Sequence, residues 1–215
     1  MTDSAKPKSS AETGAACLTA CVQAAAENDE TIVHGTFTEN GTGEDFSGAS
    51  FRACRFLRCS LTGCDFTGCD FTETVFEGCN FSGSTFRDCT FLGCTVQNAK
   101  WTGADFSGAY FKNCTVKGCM LNLAAFDSCR VQNADLTGCD CTGASLCAVS
   151  WKQVHAADCE LVENNFFKTS LSGADLSLCR FEAPVVSSDL TELRGAKMTS
   201  LQFDGLAGLL KIKLV

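Results

Sequence analysis

Apolar residues recur at every fifth position of this chain from Phe46 to Val186, without a change of register. All 29 of these positions are apolar, and 14 of them are phenylalanine. A period of five fits neither an α-helix, with about 3.6 residues per turn, nor a simple strand, whose side chains alternate with a period of two. The pattern therefore indicates an internal repeat of one short structural unit.

A second pattern lies within each repeat, in which we call the recurring apolar position i. Position i−2 usually carries a small residue, position i−1 is often Asp or Asn, and the residues after i are polar or Gly, as in Leu61-Thr-Gly-Cys-Asp-Phe66. Positions i−2 and i lie on one side of an extended segment, whereas polar residues and Gly suit a tight corner. Each repeat is predicted to form one side of a polygonal coil, and stacked coils bury a shared core.

This order of a small residue, Asp or Asn, then Phe or Leu, then two variable residues resembles the signature of the pentapeptide-repeat family. The resemblance covers residues 44–188 and implies an all-β fold, a right-handed quadrilateral parallel β-solenoid with four repeats per coil. The 29 repeats would make about seven coils, and residues twenty apart would share a face. One face would stack the following residues: Phe46, Phe66, Phe86, Phe106, Phe126, Leu146, Phe166 and Val186.

The repeats divide the chain into three predicted parts. Residues 1–45 form an N-terminal extension, in which residues 1–12 are expected to be disordered and the Ala-rich residues 11–28 to form a short helix. Residues 46–188 form the solenoid, with Asn40–Gly43 as a loop before it. Residues 189–215 form a capping and dimerisation module, with leucines at helical spacing and then Ile212 and Leu214 alternating like a strand.

A secretory signal ending near Ala24–Ala26 is the alternative interpretation of the N-terminal extension. Its apolar core is weak and acidic residues precede it. The many thiols of the chain also argue against export, because secreted proteins fold in an oxidising environment.

The chain has 17 cysteines, and most of them occupy position i−2. Cys alternates there with Ala, Ser and Thr, which is typical of a small buried filler. Zinc needs closely spaced pairs of ligands, and in-register Cβ atoms about 4.8 Å apart exceed the ~3.8 Å of a disulfide. We therefore expect reduced, buried and metal-free thiols, no cofactor, and a reducing, cytoplasmic location. The cysteines at i−2 are residues 54, 59, 64, 69, 79, 89, 94, 114, 119, 129, 139, 159 and 179.

The net charge of −8 argues against direct binding to nucleic acid. The two histidines, His34 and His155, have no accompanying nucleophile–base motif, so no catalytic residue and no enzymatic activity are expected. No apolar stretch approaches the length of about 18 residues that a membrane span needs. The sequence thus favours a binding protein or a structural protein.

The C-terminal stretch resembles that of the Qnr-type quinolone-resistance proteins, whose final helix and short strand pair two solenoids head to head. The segment Cys159-Glu-Leu-Val-Glu-Asn164 also resembles a segment of those proteins. The resemblance implies a DNA-mimicking protein that binds DNA gyrase or topoisomerase IV and protects against quinolones. It also implies a homodimer through the following residues: Leu201, Phe203, Leu206, Leu209 and Leu210.

This chain departs from the Qnr-type pattern in one respect. Many Qnr-type proteins carry loops between coils that are implicated in gyrase protection, whereas no insertion interrupts the repeats between Phe46 and Val186. A structural or protein-interaction solenoid with another partner therefore stays open as the alternative function, because a fold alone does not decide function.

The predicted partner-binding surface is an acidic stripe near the long Phe column. B-DNA carries one charge per about 1.7 Å, far more than this chain, so mimicry would rest on shape and on this stripe. The alternative is that Asp65 and Asp105 serve the corners, as Asp and Asn do in turns. The stripe comprises the following residues: Asp45, Asp65, Asp88, Asp105 and Asp127.

Overall fold

The computed structural model describes residues 17–206. They form a parallel β-solenoid of about eight turns with a short helix at each end, which confirms the predicted fold class. The residues expected to be disordered at 1–12 and the strand expected near Ile212 and Leu214 lie outside this range. The elements are α1 (Leu18–Asn28), β1 (Ile32–Val33), β2 (Thr36–Phe37), β3 (Asn40–Thr42), β4 (Ser50–Arg52), β5 (Arg55–Leu57), β6 (Ser60–Thr62), β7 (Asp70–Thr72), β8 (Val75–Glu77), β9 (Thr90–Leu92), β10 (Thr95–Gln97), β11 (Tyr110–Lys117), β12 (Arg130–Thr137), β13 (Ser150–Ala157), β14 (Glu160–Val162), β15 (Arg180–Glu182), a 3-10 helix (Thr191–Leu193) and α2 (Ser200–Leu206).

Each strand pairs in parallel with the strand one coil away. Phe71 lies between Phe51 and Phe91, so the register advances by 20 residues, or four repeats, per coil. The backbone continues this pairing between the strands, where the Phe66 N–H donates to the Thr85 carbonyl at 2.8 Å. Because successive coils are in register, equivalent positions of the repeat form columns along the solenoid axis.

The first coil lies before Phe46, where the five-residue count had placed a loop. Strands β1 and β2 pair with β4 and β5 at an offset of 19 residues, with Phe37 opposite Phe56. Strand β3 then pairs with β6 at an offset of 20, with Gly41 opposite Leu61. The prediction of a loop at Asn40–Gly43 was wrong because one repeat, between Phe37 and Gly41, is a residue short. Backbone pairing tolerates this slip, which hides the coil from a strict count of apolar positions.

The corners of the coils require a left-handed backbone at position i+2. The φ angle is +70° at Gly48 and 53° at Arg58, and most repeats follow the same pattern with or without glycine. After the Phe46 and Leu61 columns the corner is closed by a hydrogen bond, such as the one from Cys69 N–H to the Phe66 carbonyl at 3.1 Å. A residue other than glycine costs about 1–2 kcal/mol in this conformation, so the stacking of coils must offset the strain.

Phenylalanine rings fill the N-terminal half of the core. Within a column the rings are parallel, with 4.8 Å between the centroids of Phe66 and Phe86 and 5.1 Å between those of Phe86 and Phe106. Between columns they meet edge to face, as Phe66 and Phe81 do at 5.7 Å. Both geometries are favourable for aromatic pairs, which contribute about 0.5–1.5 kcal/mol each beyond burial.

The cysteines at position i−2 are all buried, and they do more than fill space. The Cys69 thiol donates to the Phe46 carbonyl at 3.1 Å, and the Cys89 thiol donates to the Phe66 carbonyl at 2.9 Å. The acceptor is the carbonyl that also closes the corner of the neighbouring coil. The Ser84 hydroxyl makes the same bond with the Leu61 carbonyl at 2.8 Å. Position i−2 therefore favours a small side chain that carries a donor, and Ala leaves this bond unmade.

Helix α1 covers the open N-terminal end of the solenoid. Its Leu18 and Val22 side chains are buried against the first coil. The Leu18 N–H, which has no partner within the helix, donates to the Glu39 carboxylate at 2.7 Å. The helix thus shields the apolar end of the core and fixes its own N-terminus on the coil below it.

Two buried or half-buried polar side chains close the C-terminal end. The Glu192 carboxylate is 5% exposed and accepts bonds from the Lys168 N–H at 3.0 Å and the Ser187 N–H at 3.1 Å. The Gln202 side chain of α2 donates to the carbonyls of Leu176 at 2.8 Å and Cys179 at 2.7 Å. These bonds satisfy backbone groups that the next coil would otherwise pair.

We expect Gly68→Ala to lower the free energy of unfolding by about 1–2 kcal/mol. The φ angle at Gly68 is +70° and an added Cβ would meet no atom within 4 Å, so the loss would come from the backbone alone. Urea unfolding followed by circular dichroism measures the change. Gly205→Ala in α2 is the matched control, because its Cβ also enters open space but φ is not left-handed. Equal effects at the two positions would contradict the corner assignment.

The buried thiols should make the protein sensitive to alkali. Burial raises the pKa of Cys69 and of Cys129 to about 12, from an ordinary value of 9.0. Above pH ~9 the unfolded chain releases protons that the folded chain retains, so the free energy of unfolding falls by about 1.4 kcal/mol per pH unit for each such thiol. Below that pH their contribution to stability is fully present.

Urea titrations between pH 7 and 10.5 measure this slope. Cys69→Ala should make the slope shallower, whereas Cys17→Ala should leave it unchanged, because the Cys17 thiol is exposed. A free energy of unfolding that does not change from pH 8 to 10.5 would be inconsistent with buried thiols.

Candidate partner-binding surface

Three of the five predicted acidic residues form a column. Asp45, Asp65 and Asp105 occupy position i−1 beside the Phe46 column, and backbone bridges join Asp45 to Asp65, Asp65 to Thr85 and Thr85 to Asp105. The adjacent coils are one strand spacing apart, about 4.8 Å. We call Asp45, Asp65 and Asp105 the acidic column. It ends at Ala125, the next position along the axis.

The same carboxylates also serve the corners. Each accepts a hydrogen bond from the N–H two residues ahead: Asp45 from Ser47 at 2.9 Å, and Asp65 from Thr67 at 2.8 Å. The bond from Ser47 N–H lowers the pKa of Asp45, so this carboxyl stays ionised at neutral pH. A corner role and a surface charge are therefore compatible, because the bond leaves the second carboxylate oxygen exposed to solvent.

Asp88 and Asp127 lie outside the acidic column. Asp88 occupies the left-handed corner position i+2, with φ of 55°, and its side chain lies over Gly108. Asp127 occupies position i+1, where its carboxylate accepts bonds from the Ser145 hydroxyl and from the Cys147 N–H at 3.0 Å. The side chains at these positions leave the corner in other directions, so the five residues do not form one straight stripe.

Sequence analysis missed Arg87, which forms an ion pair with Asp105. Arg87 follows Phe86 at position i+1, and the 20-residue stacking places it next to position i−1 of the following coil. The Arg87 side chain is 60% exposed and that of Asp105 is 24% exposed, so the pair stabilises the fold by about 0–1 kcal/mol. Its larger effect is to neutralise one charge of the acidic column.

The C-terminal half of the same face is apolar. Phe167 is 41% exposed and Val185 is 55% exposed, and the Lys168 ammonium lies over the Phe167 ring at 5.3 Å from its centroid. The face is thus acidic toward the N-terminus and apolar toward the C-terminus. A protein partner suits this combination better than a small solute, because it can bury both parts together.

The residues predicted to form the dimer interface are in different environments. Leu201 is 82% exposed and Phe203 is 57% exposed, whereas Leu206 is 4% exposed and packs into the C-terminal cap. Leu209 and Leu210 lie outside the described residues. A cavity of about 520 Å³ between α2 and the 3-10 helix has Leu193 and Phe203 in its lining.

Residues 17–206 contain no group of three or more His, Cys, Asp or Glu side chains that could hold a metal ion. His155 lies exposed on β13, and His34 lies in the first coil with φ of 58°. Neither helix in this part of the chain is long and apolar enough to cross a membrane.

Comparison with known proteins identifies the repeats. Residues 42–118 match the family model of the pentapeptide repeat region, which confirms the predicted recognition of this part as pentapeptide repeats. A comparison with curated proteins gives no match.

Solved structures with related folds include QnrB1, described as a plasmid-mediated fluoroquinolone resistance protein. It is 21% identical over 86% of this chain and 98% of that chain, with a TM-score of 0.48. A pentapeptide repeat protein, Rfr23 from the cyanobacterium Cyanothece 51142, is 14% identical over 66% of this chain and 98% of that chain, with a TM-score of 0.48. HetL from Nostoc sp. strain PCC 7120, involved in heterocyst differentiation regulation, is 18% identical over 82% and 92%, with a TM-score of 0.35.

Proposed function

We propose that this pentapeptide-repeat solenoid is a non-enzymatic binding protein that presents its acidic column to a basic groove of a partner protein. The observation that carries the proposal is the register of Asp45, Asp65 and Asp105 on a rigid core. A rigid surface loses little conformational entropy on binding, and aligned charges speed the encounter with a basic partner.

The partner that we propose is a type II topoisomerase, DNA gyrase or topoisomerase IV, bound in its DNA-binding groove. Support comes from the C-terminal stretch and the segment Cys159–Asn164, which resemble the Qnr-type proteins in sequence. About eight coils at the spacing of paired strands make a rod of roughly 38 Å. Such a rod would occupy the groove as DNA does, and protection against quinolones would follow from displacement of the DNA.

We further propose a homodimer through the C-terminal module. Leu201 and Phe203 present exposed apolar surface beside the cavity at α2. A two-fold interface between identical patches is the commonest arrangement of soluble oligomers. It would join two solenoids end to end and double the length of the rod. We place the protein in the cytoplasm, since its 17 thiols are all free.

The second candidate function is an interaction scaffold for another protein. The Arg87–Asp105 ion pair and the exposed Phe167 and Val185 favour it, because a DNA mimic needs uniform negative charge along its length. In this case the apolar half of the face, rather than the acidic column, would provide most of the binding energy.

The acidic column can be tested with Asp→Asn at residues 45, 65 and 105 together. Asn keeps an oxygen that can accept the corner hydrogen bond, so the fold should be retained while three charges are lost. We expect gyrase binding to weaken about tenfold or more and its salt dependence to decrease, measured by surface plasmon resonance and by a supercoiling assay with and without quinolone.

The matched control is Asp→Asn at residues 70, 135 and 140, which occupy position i−1 on the other three faces. It removes the same charge and should leave gyrase binding within about twofold. Equal losses in both triple variants would indicate a non-specific effect of net charge. Absence of binding by the unmodified protein at micromolar concentration and low salt would exclude the topoisomerase and favour the scaffold.

The dimer can be tested with the double variant Leu201→Glu and Phe203→Glu. Both side chains are largely exposed, so the substitutions should leave the monomer folded and shift light scattering from dimer to monomer at about 20 µM. Leu123→Glu is the control, since Leu123 is 66% exposed on the solenoid wall. An unmodified protein that is monomeric at this concentration would contradict the interface.

A further inference from the structure

A second polar surface lies on the middle coils, away from the acidic column. Here β11, β12 and β13 are each eight residues long, and Lys112, Gln132 and Lys152 are paired in one column. A cavity of about 400 Å³ opens over this column. It is lined by Lys112, Asn113, Gln132, Asn133, Lys152 and Gln153, which we call the lysine–amide cavity.

Hydrogen bonds set the orientation of two amides in this cavity. The Tyr110 hydroxyl donates to the Gln132 side-chain oxygen at 2.8 Å, and the Asn133 amide donates to the Asn113 side-chain oxygen at 2.8 Å. The acceptor oxygens of Gln132 and Asn113 are thereby engaged, which leaves their NH₂ groups available as donors.

Two cations flank these donors. The Cα atoms of Lys112 and Lys152 are separated by two strand spacings, roughly 10 Å, so side chains of about 6 Å can converge on one ligand above Gln132. Among the described residues, neither lysine forms an ion pair and no carboxylate lines the cavity. A site that offers mainly donors and two positive charges favours an anion with several oxygens.

A second contact supports the orientation of Gln132. The Arg130 guanidinium lies over the Tyr110 ring at 5.6 Å from its centroid. This contact holds the ring whose hydroxyl donates to Gln132. Tyr110 is therefore a positioning residue, which acts on the ligand through the Gln132 amide.

We propose that the lysine–amide cavity binds the phosphate group of a small molecule, either inorganic phosphate or a phosphate monoester. The charge of a phosphate dianion matches the two ammonium groups, and its oxygens can accept bonds from both lysines and both amides at once. A carboxylate carries a single charge and would leave one ammonium uncompensated. The site is separate from the acidic column and does not depend on the proposed topoisomerase partner.

Isothermal titration of the full-length protein with inorganic phosphate, AMP and acetate, at an ionic strength held constant with sodium chloride, tests the proposal. We expect saturable binding of phosphate or AMP, with a Kd of about 1 mM or below, and at least tenfold weaker binding of acetate. Tighter binding of AMP would identify a monoester as the ligand, and tighter binding of phosphate would identify the free ion.

Variants assign the binding to this cavity. Lys112→Gln with Lys152→Gln should weaken phosphate binding at least about tenfold, whereas Lys100→Gln with Lys117→Gln, an equal change of charge on other faces, should retain it. Tyr110→Phe should weaken it several-fold while both lysines remain. Equal binding by both double variants, equal binding of acetate, or no saturable heat up to 10 mM phosphate (about tenfold the expected Kd) would overturn the proposal.

Discussion

The structure depends on the parallel hydrogen bonding between successive coils. A backbone bond such as that from the Phe66 N–H to the Thr85 carbonyl recurs with a register of 20 residues, and it sets the spacing of the coils. Because every coil satisfies the backbone of its neighbours, no single coil is stable alone. The strained left-handed corners, at residues such as Arg58, persist because the pairing on both sides holds them in place.

This spacing turns each position of the repeat into a column with one chemical character. Rings stack inside the Phe46 column, while carboxylates stand in register beside it at Asp45 and Asp65. On the next face the same register aligns Lys112 with Lys152 and forms the lysine–amide cavity. An acidic surface and a cationic surface can therefore coexist on neighbouring faces of one narrow rod, although the chain as a whole carries a net charge of −8.

The cysteine columns show how a small side chain serves both the core and the backbone. A thiol fits where Ala also fits, but it adds a donor toward a corner carbonyl, as Cys129 does toward Phe106 at 3.0 Å. Such bonds are weak individually. Repeated along the columns, they link the core to the corners, and burial keeps the thiols protonated across the neutral range.

The sequence alone determined the periodic part of this protein: the parallel solenoid, the core positions and the burial of the i−2 cysteines. These follow from counting, because stacked repeats place equivalent residues in equivalent environments. Only the tertiary structure revealed the extra coil that a repeat one residue short conceals before Gly41. It also decided which side chains leave the corner together, so that Arg87 reaches Asp105 while Asp88 lies elsewhere. Directions at corners and at the cap depend on local φ angles and on neighbours one coil away, which a linear period does not contain.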